Sequence, residues 1–189
     1  VRKPTAGGAE EVVVEGLRTR AQNGLHLVSW YLSPALSHDG KRLALTEDDG
    51  NGASDLEVVD LSVPGQRPVT ILSEGAQLAD AAWSPDGKTI AVTSYNTGTA
   101  GLILWPADGK TAPERLRKLP EGDAYRPSFS PDGRWLVYTL RRPEANDIHA
   151  FELATGRDVA LTSDGRSWNG VLSPDGKWLA YLRADRSTI

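Results

Sequence analysis

The sequence predicts an all-β protein, and three observations support this prediction. The 189 residues include 19 glycines and 12 prolines, which mark turns and so indicate many short elements. Apolar residues keep a helical spacing for no more than two turns, so helix is the minority expectation. A short turn motif recurs along the chain at a nearly constant interval, which indicates a repeat protein.

The repeated motif is Ser-Pro-Asp-Gly, and it predicts the first two strands of each repeat. Its copies begin at Ser37, Ser84, Ser130 and Ser173, with His38 in place of proline in the first copy. Proline presets the turn, aspartate bonds its own backbone, and glycine supplies a positive φ. Each copy therefore predicts a tight hairpin between two apolar strands.

Two further strand-like segments follow each of the first three hairpins. The predicted third strands are Asp55–Val59, Gly101–Trp105 and Asp147–Phe151, and the predicted fourth strands are Val69–Leu72, Arg115–Leu119 and Asp158–Leu161. Four antiparallel strands per repeat, at a period in the forties, predict a single-domain β-propeller, because one such sheet cannot bury both of its faces alone. The predicted blades span residues 29–73, 77–119, 124–162 and 167–183.

The last repeat contains only its hairpin, and the chain's first residues have the pattern of its missing half. Val1–Lys3 and Glu11–Glu15 read as a third and a fourth strand. The sequence therefore predicts that residues 1–15 complete the fourth blade, which is then built from both chain ends. The alternative is that the chain is part of a larger ring divided at the same point, because loops tolerate such division.

The segment Trp83-Ser-Pro-Asp-Gly-Lys-Thr-Ile-Ala-Val92 and its in-phase counterparts resemble the WD-repeat-like propellers of the TolB type. Similar repeats occur in bacterial periplasmic proteins, membrane-kinase sensor regions, prolyl-oligopeptidase-type peptidases and some polysaccharide lyases. The resemblance implies a periplasmic or other cell-envelope location, while the residues themselves leave the cytoplasm open. It implies the fold more firmly than the function, because one fold hosts many functions.

Composition disfavours several classes of partner. The chain has 21 Lys and Arg against 25 Asp and Glu, a net charge of −4, which argues against binding nucleic acid or an anionic membrane surface. No apolar run approaches the roughly 18 residues of a membrane span, so we expect no membrane insertion. The absence of cysteine excludes disulfides, thiolate metal sites and a cysteine nucleophile.

The sequence predicts no enzyme, no cofactor and no metal. We find no Gly-x-Ser-x-Gly nucleophile motif. His26, His38 and His149 are scattered, and we expect them to be solvated or on edge strands. The loop Asp48–Asp55 alternates oxygen donors as calcium loops do, but lacks the EF-hand pattern, so a plain turn is favoured.

Two repeat positions predict the core between blades. One lies directly before the shared serine and the other follows the basic residue after the turn. Because large apolar side chains recur there at the blade period, we expect them to pack between neighbouring sheets. These residues are Leu36, Trp83, Phe129, Leu172, Trp135 and Trp178.

A third repeat position is polar in every copy and predicts a binding site. It holds Ser33, Asp80, Arg126 and Asn169. Two residues later the side chains are small or modest in size, and strand alternation would place both positions on one face. Innermost strands surround the propeller axis, so we expect the four polar side chains to ring the mouth of the channel.

Loops at the same end add aromatic and arginine side chains, the usual anchors of protein interfaces. They are Trp30, Tyr95, Asn96, Asp123, Tyr125, Arg141, Arg142, Arg166 and Trp168. The predicted binding residues are Ser33, Asp80, Tyr125, Arg126, Arg166, Trp168 and Asn169.

The main functional hypothesis is a non-catalytic scaffold that recognises a protein or peptide through this loop-rich face. One alternative is small-ligand or oligosaccharide binding, with lyase-like chemistry included, at the channel mouth. The other is self-association through open blade edges, since exposed strand edges invite pairing with another chain.

Overall fold

Strands account for every regular element in the computed structural model, which describes residues 18–22, 25–48, 53–73, 75–96, 98–116 and 119–184. Blade 1 contains β2 (Leu25–Leu36), β3 (Arg42–Asp48), β4 (Ser54–Asp60) and β5 (Val69–Ser73), with β1 (Arg18–Gln22) paired to the start of β2. Blade 2 contains β6 (Gln77–Trp83), β7 (Thr89–Asn96), β8 (Thr99–Pro106) and β9 (Glu114–Arg115). Blade 3 contains β10 (Asp123–Phe129), β11 (Trp135–Arg142), β12 (Ala145–Glu152) and β13 (Asp158–Ala160). Blade 4 contains β14 (Ser167–Leu172) and β15 (Leu179–Arg183).

Neighbouring strands within each blade are antiparallel and consecutive in the sequence, which confirms the all-β propeller architecture. The predicted third strands all form, and β1 is an addition that the sequence pattern did not indicate. The segments 1–3 and 11–15, which we expected to complete blade 4, lie outside the described residues.

The four hairpin turns share one hydrogen-bond pattern, seen clearly in blade 2. The Ser84 hydroxyl donates to Asp86 Oδ1 at 2.7 Å and accepts the Thr89 N–H at 2.9 Å. Asp86 Oδ1 also accepts the Lys88 N–H at 3.0 Å, and Gly87 adopts a φ of 67°. The same contacts recur in the other three copies, including the one that has histidine in place of proline. The turn chemistry predicted from the motif is therefore confirmed.

These turns make stability sensitive to acid. The serine hydroxyl and a backbone N–H lower the pKa of each turn aspartate, Asp39, Asp86, Asp132 and Asp175, below its ordinary value. A carboxyl whose pKa is lower in the folded than in the unfolded chain stabilises the fold above the unfolded pKa, and this contribution is lost as the pH falls through the folded pKa. We therefore expect the Tm, followed by circular dichroism, to fall below about pH 4.

The D86N variant is the matched comparison, because an amide oxygen accepts the same hydrogen bonds at every pH. Its Tm should decline less than that of the wild type between neutral and acidic pH. Equal declines in the two proteins would show that the Asp86 carboxylate does not contribute to the acid sensitivity.

The innermost strands β2, β6, β10 and β14 contact one another in sequence, and the blades pack face to face between them. The junction of blades 1 and 2 buries Leu56, Leu78, Trp83 and Ile90. The next junction buries Leu102, Leu136, Tyr138 and Phe151, and the third buries Val137 and Ile148. The burial of Trp83 confirms its predicted core position. Phe129 packs half-buried against the core of the second junction, and Trp135 and Leu172 pack half-buried against that of the third.

The prediction of a core position is wrong for Leu36 and Trp178. Leu36 is 57% exposed and Trp178 is 75% exposed. Leu36 is the counterpart of Trp83, which packs back onto the preceding blade, and Trp178 is the counterpart of Trp135, which faces the following blade. Among the described residues neither face has a neighbouring blade, so neither side chain is covered.

Candidate functional site

The four polar residues predicted to ring the channel mouth share an unusual backbone conformation. Ser33, Asp80, Arg126 and Asn169 have φ values of 49°, 54°, 56° and 62°, and they are the non-glycine residues with positive φ in the described part of the chain. The left-handed region is costly for side chains other than glycine, and Asp and Asn enter it most readily. We call these four residues the mouth ring.

Each member of the mouth ring sits in a β-bulge, which corrects the expected strand alternation. The pairing register shifts between Leu32 and Ala35 in blade 1, and at the equivalent place in the other three blades. A bulge sets two residues against one on the partner strand and re-aims the side chains. Strict alternation across this position, on which we based the shared face, is therefore wrong.

Buried threonines on the second strands hold the backbone of two members of the mouth ring. The Arg126 N–H donates to Thr93 Oγ1 at 3.1 Å, and the Asn169 N–H donates to Thr139 Oγ1 at 3.0 Å. Both threonines are fully buried and belong to the preceding blade. The left-handed backbone is thus part of the joint between blades, while the side chains at this position vary.

The mouth ring converges on one depression at the propeller axis. Its volume is about 390 Å³, and every blade contributes to its wall. The prolines or small residues that follow the mouth ring complete the lining: Pro34, Ala81, Pro127, Ser128, Gly170 and Val171. The structure therefore brings Ser33, Asp80, Arg126 and Asn169 together, as predicted.

Opposite charges and aromatic rings meet on the blade 2 and blade 3 side of this depression. Burial raises the pKa of the Asp80 carboxyl, and the Arg126 guanidinium and a hydrogen bond from Thr93 Oγ1 at 3.5 Å partly oppose that rise. Burial raises the pKa of the Tyr95 hydroxyl, and the Asp80 charge adds to this effect. Tyr125 lies in the same electrostatic cluster, where burial also raises its pKa.

A cation–ring contact and a hydrogen bond hold Tyr125 in place. The Arg141 guanidinium lies 5.9 Å from the centre of the Tyr125 ring and donates to Asp123 Oδ2 at 2.6 Å. Asp123 Oδ1 accepts the Ala100 N–H at 2.9 Å, and the Tyr125 hydroxyl donates to Asn146 Oδ1 at 3.2 Å. Asn146 was not among the predicted residues, because nothing in its local sequence marks it as a partner of Tyr125 on β10.

Arg166 and Trp168 lie beside the cluster rather than in the depression. Arg166 bridges to Asn146 through the backbone, and its Nη1 donates to the Ala184 carbonyl at 3.4 Å. Trp168 is half-buried on β14 opposite Leu182. Trp30 lies on β2, and Asn96 is the last residue of β7.

The remaining sequence predictions concern metal and membrane sites. Residues 49–52, the middle of the acidic loop considered for calcium, lie outside the described residues. Within the described ranges, no group of three or more His, Asp or Glu side chains is arranged to hold a metal ion. The described ranges also contain no helix with the length and apolar character needed to cross a membrane.

His149 differs from our expectation of a solvated or edge-strand histidine. It is 6% exposed on β12, which lies between β11 and β13. Its Nδ1 lies 2.6 Å from Asp158 Oδ1, and the Tyr138 hydroxyl donates to Asp158 Oδ2 at 2.6 Å. The three side chains form a buried polar cluster inside blade 3 rather than part of the mouth.

Solved structures share this arrangement of blades. The crystal structure of TolB from Acinetobacter baumannii matches with a TM-score of 0.72 and 23% identity, covering 84% of this chain and 39% of that one. An oligogalacturonate lyase in complex with manganese matches with a TM-score of 0.69 and 20% identity, covering 86% of this chain and 49% of that one. At these identities the two structures show a common fold.

Comparison of sequences identifies the family. The Tol-Pal system protein TolB of Ruthia magnifica subsp. Calyptogena magnifica is 29% identical over 156 residues, covering 75% of this chain and 35% of that protein. The TolB of Anaeromyxobacter dehalogenans (strain 2CP-C) is 32% identical over 114 residues, covering 60% of this chain and 25% of that protein. The chain thus spans about a third or less of the length of these relatives. A family model for the TolB beta propeller domain matches residues 18–189, so the chain belongs to the TolB β-propeller family.

Proposed function

We propose that this propeller is a non-catalytic recognition module of the bacterial cell envelope that binds a protein partner at the axial depression. Relatives that carry the name Tol-Pal system protein support a partner from that system. Pal is the component we choose for the test. The proposal concerns the site on this chain, which spans only part of those relatives.

One observation supports the mouth ring above all others. Four non-glycine residues hold a strained left-handed backbone at the same repeat position and converge on one depression. The buried threonines of the blade joints hold the backbone at two of the four, Arg126 and Asn169. They do not account for the side chains, which differ in charge from blade to blade around the same cavity. Such variation suits the recognition of an asymmetric partner.

The chemistry of the cluster fits a polypeptide ligand. Arg126 is exposed and offers a planar set of donors for a carboxylate or a backbone carbonyl. Tyr95 is 40% exposed, and it and Tyr125 offer flat apolar surface with a polar tip. Aromatic and arginine side chains at the centre of a patch are the residues that most often dominate protein interfaces.

The R126N variant tests the proposal. Asparagine removes the guanidinium but enters the left-handed region readily, so the bulge and its bond to Thr93 should persist. Measured by isothermal titration calorimetry with purified Pal, the Kd should rise by roughly tenfold or more.

R67N is the matched control, since Arg67 is exposed in the loop before β5. It removes the same charge away from the depression and should leave the Kd unchanged. If R126N binds Pal as tightly as the wild type does, or if R67N weakens binding equally, the mouth ring is not the recognition site.

A further inference from the structure

Arg126 is the cation of the mouth ring, and it has no anionic partner within the described part of the chain. The residue is exposed and takes part in none of the salt bridges found among the described residues. The neighbouring Arg141, in contrast, is engaged by Asp123 at 2.6 Å. A guanidinium binds a carboxylate more strongly than a neutral carbonyl, and often through two parallel hydrogen bonds. Arg126 is therefore placed to receive a carboxylate of the ligand.

Asp80 sets a second carboxylate beside this arginine. Both residues line the axial depression, and the positive charge of Arg126 acts on the Asp80 carboxyl. Asp80 is half-buried and accepts a hydrogen bond from Thr93 Oγ1 at 3.5 Å. A ligand carboxylate on Arg126 would lie near the Asp80 carboxylate, and two carboxylates that share one site do not both stay ionised easily. Binding of the ligand would therefore favour a proton on Asp80.

Asp80 is the group at this site whose charge can change in mild acid. Burial raises the pKa of its carboxyl, so it takes up a proton at a higher pH than an ordinary aspartate does. Its titratable neighbours Tyr95 and Tyr125 stay neutral there, because burial raises the pKa of both hydroxyls. The other strands around this position contribute uncharged residues: Ser33 on β2, Asn169 on β14 and, at the repeat position of Thr93, Thr46 on β3.

We propose that the mouth ring takes an acidic side chain of its protein partner, whose carboxylate binds Arg126 while Asp80 takes up a proton from the solvent. The protonated Asp80 carboxyl is uncharged and gains a hydrogen-bond donor for the incoming carboxylate. This inference rests on the function proposed above and names the chemical group that the site recognises. It also makes binding tighter in mild acid, because a group that gains a proton on binding links the affinity to pH.

The shape of the site favours a side chain over the end of a polypeptide chain. Tyr95 and Tyr125 offer flat apolar surface beside the depression, which a loop of a folded partner can cover. The depression itself has a volume of about 390 Å³, which accommodates a side chain of that loop. We therefore assign the carboxylate to an aspartate or glutamate of the partner.

Proton uptake is the direct test, and it needs no variant. Isothermal titration calorimetry with purified Pal is performed at about pH 6 in MES and in Bis-Tris, two buffers with different enthalpies of ionisation. The difference between the two binding enthalpies gives the number of protons taken up. We expect net uptake, and a lower Kd at about pH 6 than at about pH 7.5.

The D80N variant assigns this uptake to Asp80. Asparagine carries no charge, enters the left-handed region readily and can still accept the bond from Thr93. At about pH 7.5 the Kd of D80N should be lower than that of the wild type by roughly threefold to tenfold, because a nearby like charge is gone. The variant should also take up fewer protons and show a weaker pH dependence.

D86N is the matched control, since it removes an exposed carboxylate from the same blade outside the depression. It should keep the Kd and the proton uptake of the wild type. A second control distinguishes the two sources of a carboxylate in the partner. Pal extended by Gly-Ser at its C-terminus should bind as Pal does, and a large loss of affinity would assign the carboxylate to the chain end and overturn the side-chain proposal.

The outcomes separate this inference from the function on which it rests. If wild-type protein does not bind Pal, or R126N binds it as tightly as the wild type does, both fail. If R126N weakens binding but the wild type takes up no proton, the carboxylate inference fails and the recognition site stands. The same holds if D80N, with the circular dichroism spectrum of the wild type, binds Pal no more tightly than the wild type.

Discussion

Replacing Trp83 with alanine is expected to destabilise the chain by about 3–5 kcal/mol, the usual loss for a large buried aromatic side chain. Trp83 is 3% exposed and packs in the core between blades 1 and 2. Its Nε1–H donates to the Ala35 carbonyl of blade 1 at 2.9 Å, and the Arg42 guanidinium lies 4.5 Å from its ring centre. The substitution therefore removes packing, a hydrogen bond and a cation–π contact from one junction.

The matched control is W178A. Trp178 occupies the surface of blade 4 with 75% of its area exposed, so its loss should change the free energy of unfolding by less than about 0.5 kcal/mol. Urea denaturation followed by circular dichroism measures both values. Similar losses for the two variants would mean that Trp178 is covered in solution or that the blade 1–2 junction contributes little to stability.

The contrast between these tryptophans shows what the repeat pattern can predict. Turn chemistry is local, so Ser84, Asp86 and Gly87 were enough to predict the hairpin and its hydrogen bonds. The period of the repeat also predicted which side chains face a neighbouring blade. It could not predict that the described residues supply no neighbouring blade on that face of blade 4, and this is why Trp178 was wrongly assigned to the core.

The mouth ring was predicted as a group for a reason that was only partly right. Its residues recur at one repeat position on strands that surround an axis, and this placed them around one depression. Their orientation came from strict alternation, which has no provision for a bulge. Asp80 and Asn169 carried a usable signal, because these residue types favour the left-handed region. Arg126 carried none, and its conformation follows from the bond to Thr93.

The polar cluster in blade 3 could not be predicted at all. Tyr138, His149 and Asp158 stand on three successive strands, and pairing register alone brings them together. The paired residues at the positions of Tyr138 and His149 are Val92 and Ile103 in blade 2, and Leu45 and Glu57 in blade 1. Because the residue types change from blade to blade, no repeat signal marks the cluster, and each member viewed alone looks like an ordinary strand residue.

We expect the D158A variant to lose about 2–4 kcal/mol of stability, because it leaves two buried polar groups without their partner. Tyr138 is fully buried and His149 is 6% exposed. Burial and the hydrogen bond to Asp158 raise the pKa of the Tyr138 hydroxyl, so this group stays a donor throughout the range in which the protein folds. Without Asp158 the hydroxyl and the imidazole lose acceptors that each lie at 2.6 Å. Urea denaturation measures the loss.

A double-mutant cycle with Y138F tests whether Tyr138 and Asp158 stabilise blade 3 together or independently. Removing the Tyr138 hydroxyl as well removes one stranded donor, so the double variant should be more stable than the sum of the two single losses predicts. E144A provides the surface comparison, since Glu144 is exposed in the turn between β11 and β12 of the same blade and its loss should change stability little. Additive losses in the cycle would mean that Tyr138 and Asp158 stabilise blade 3 independently, and the three side chains would then not act as one buried network.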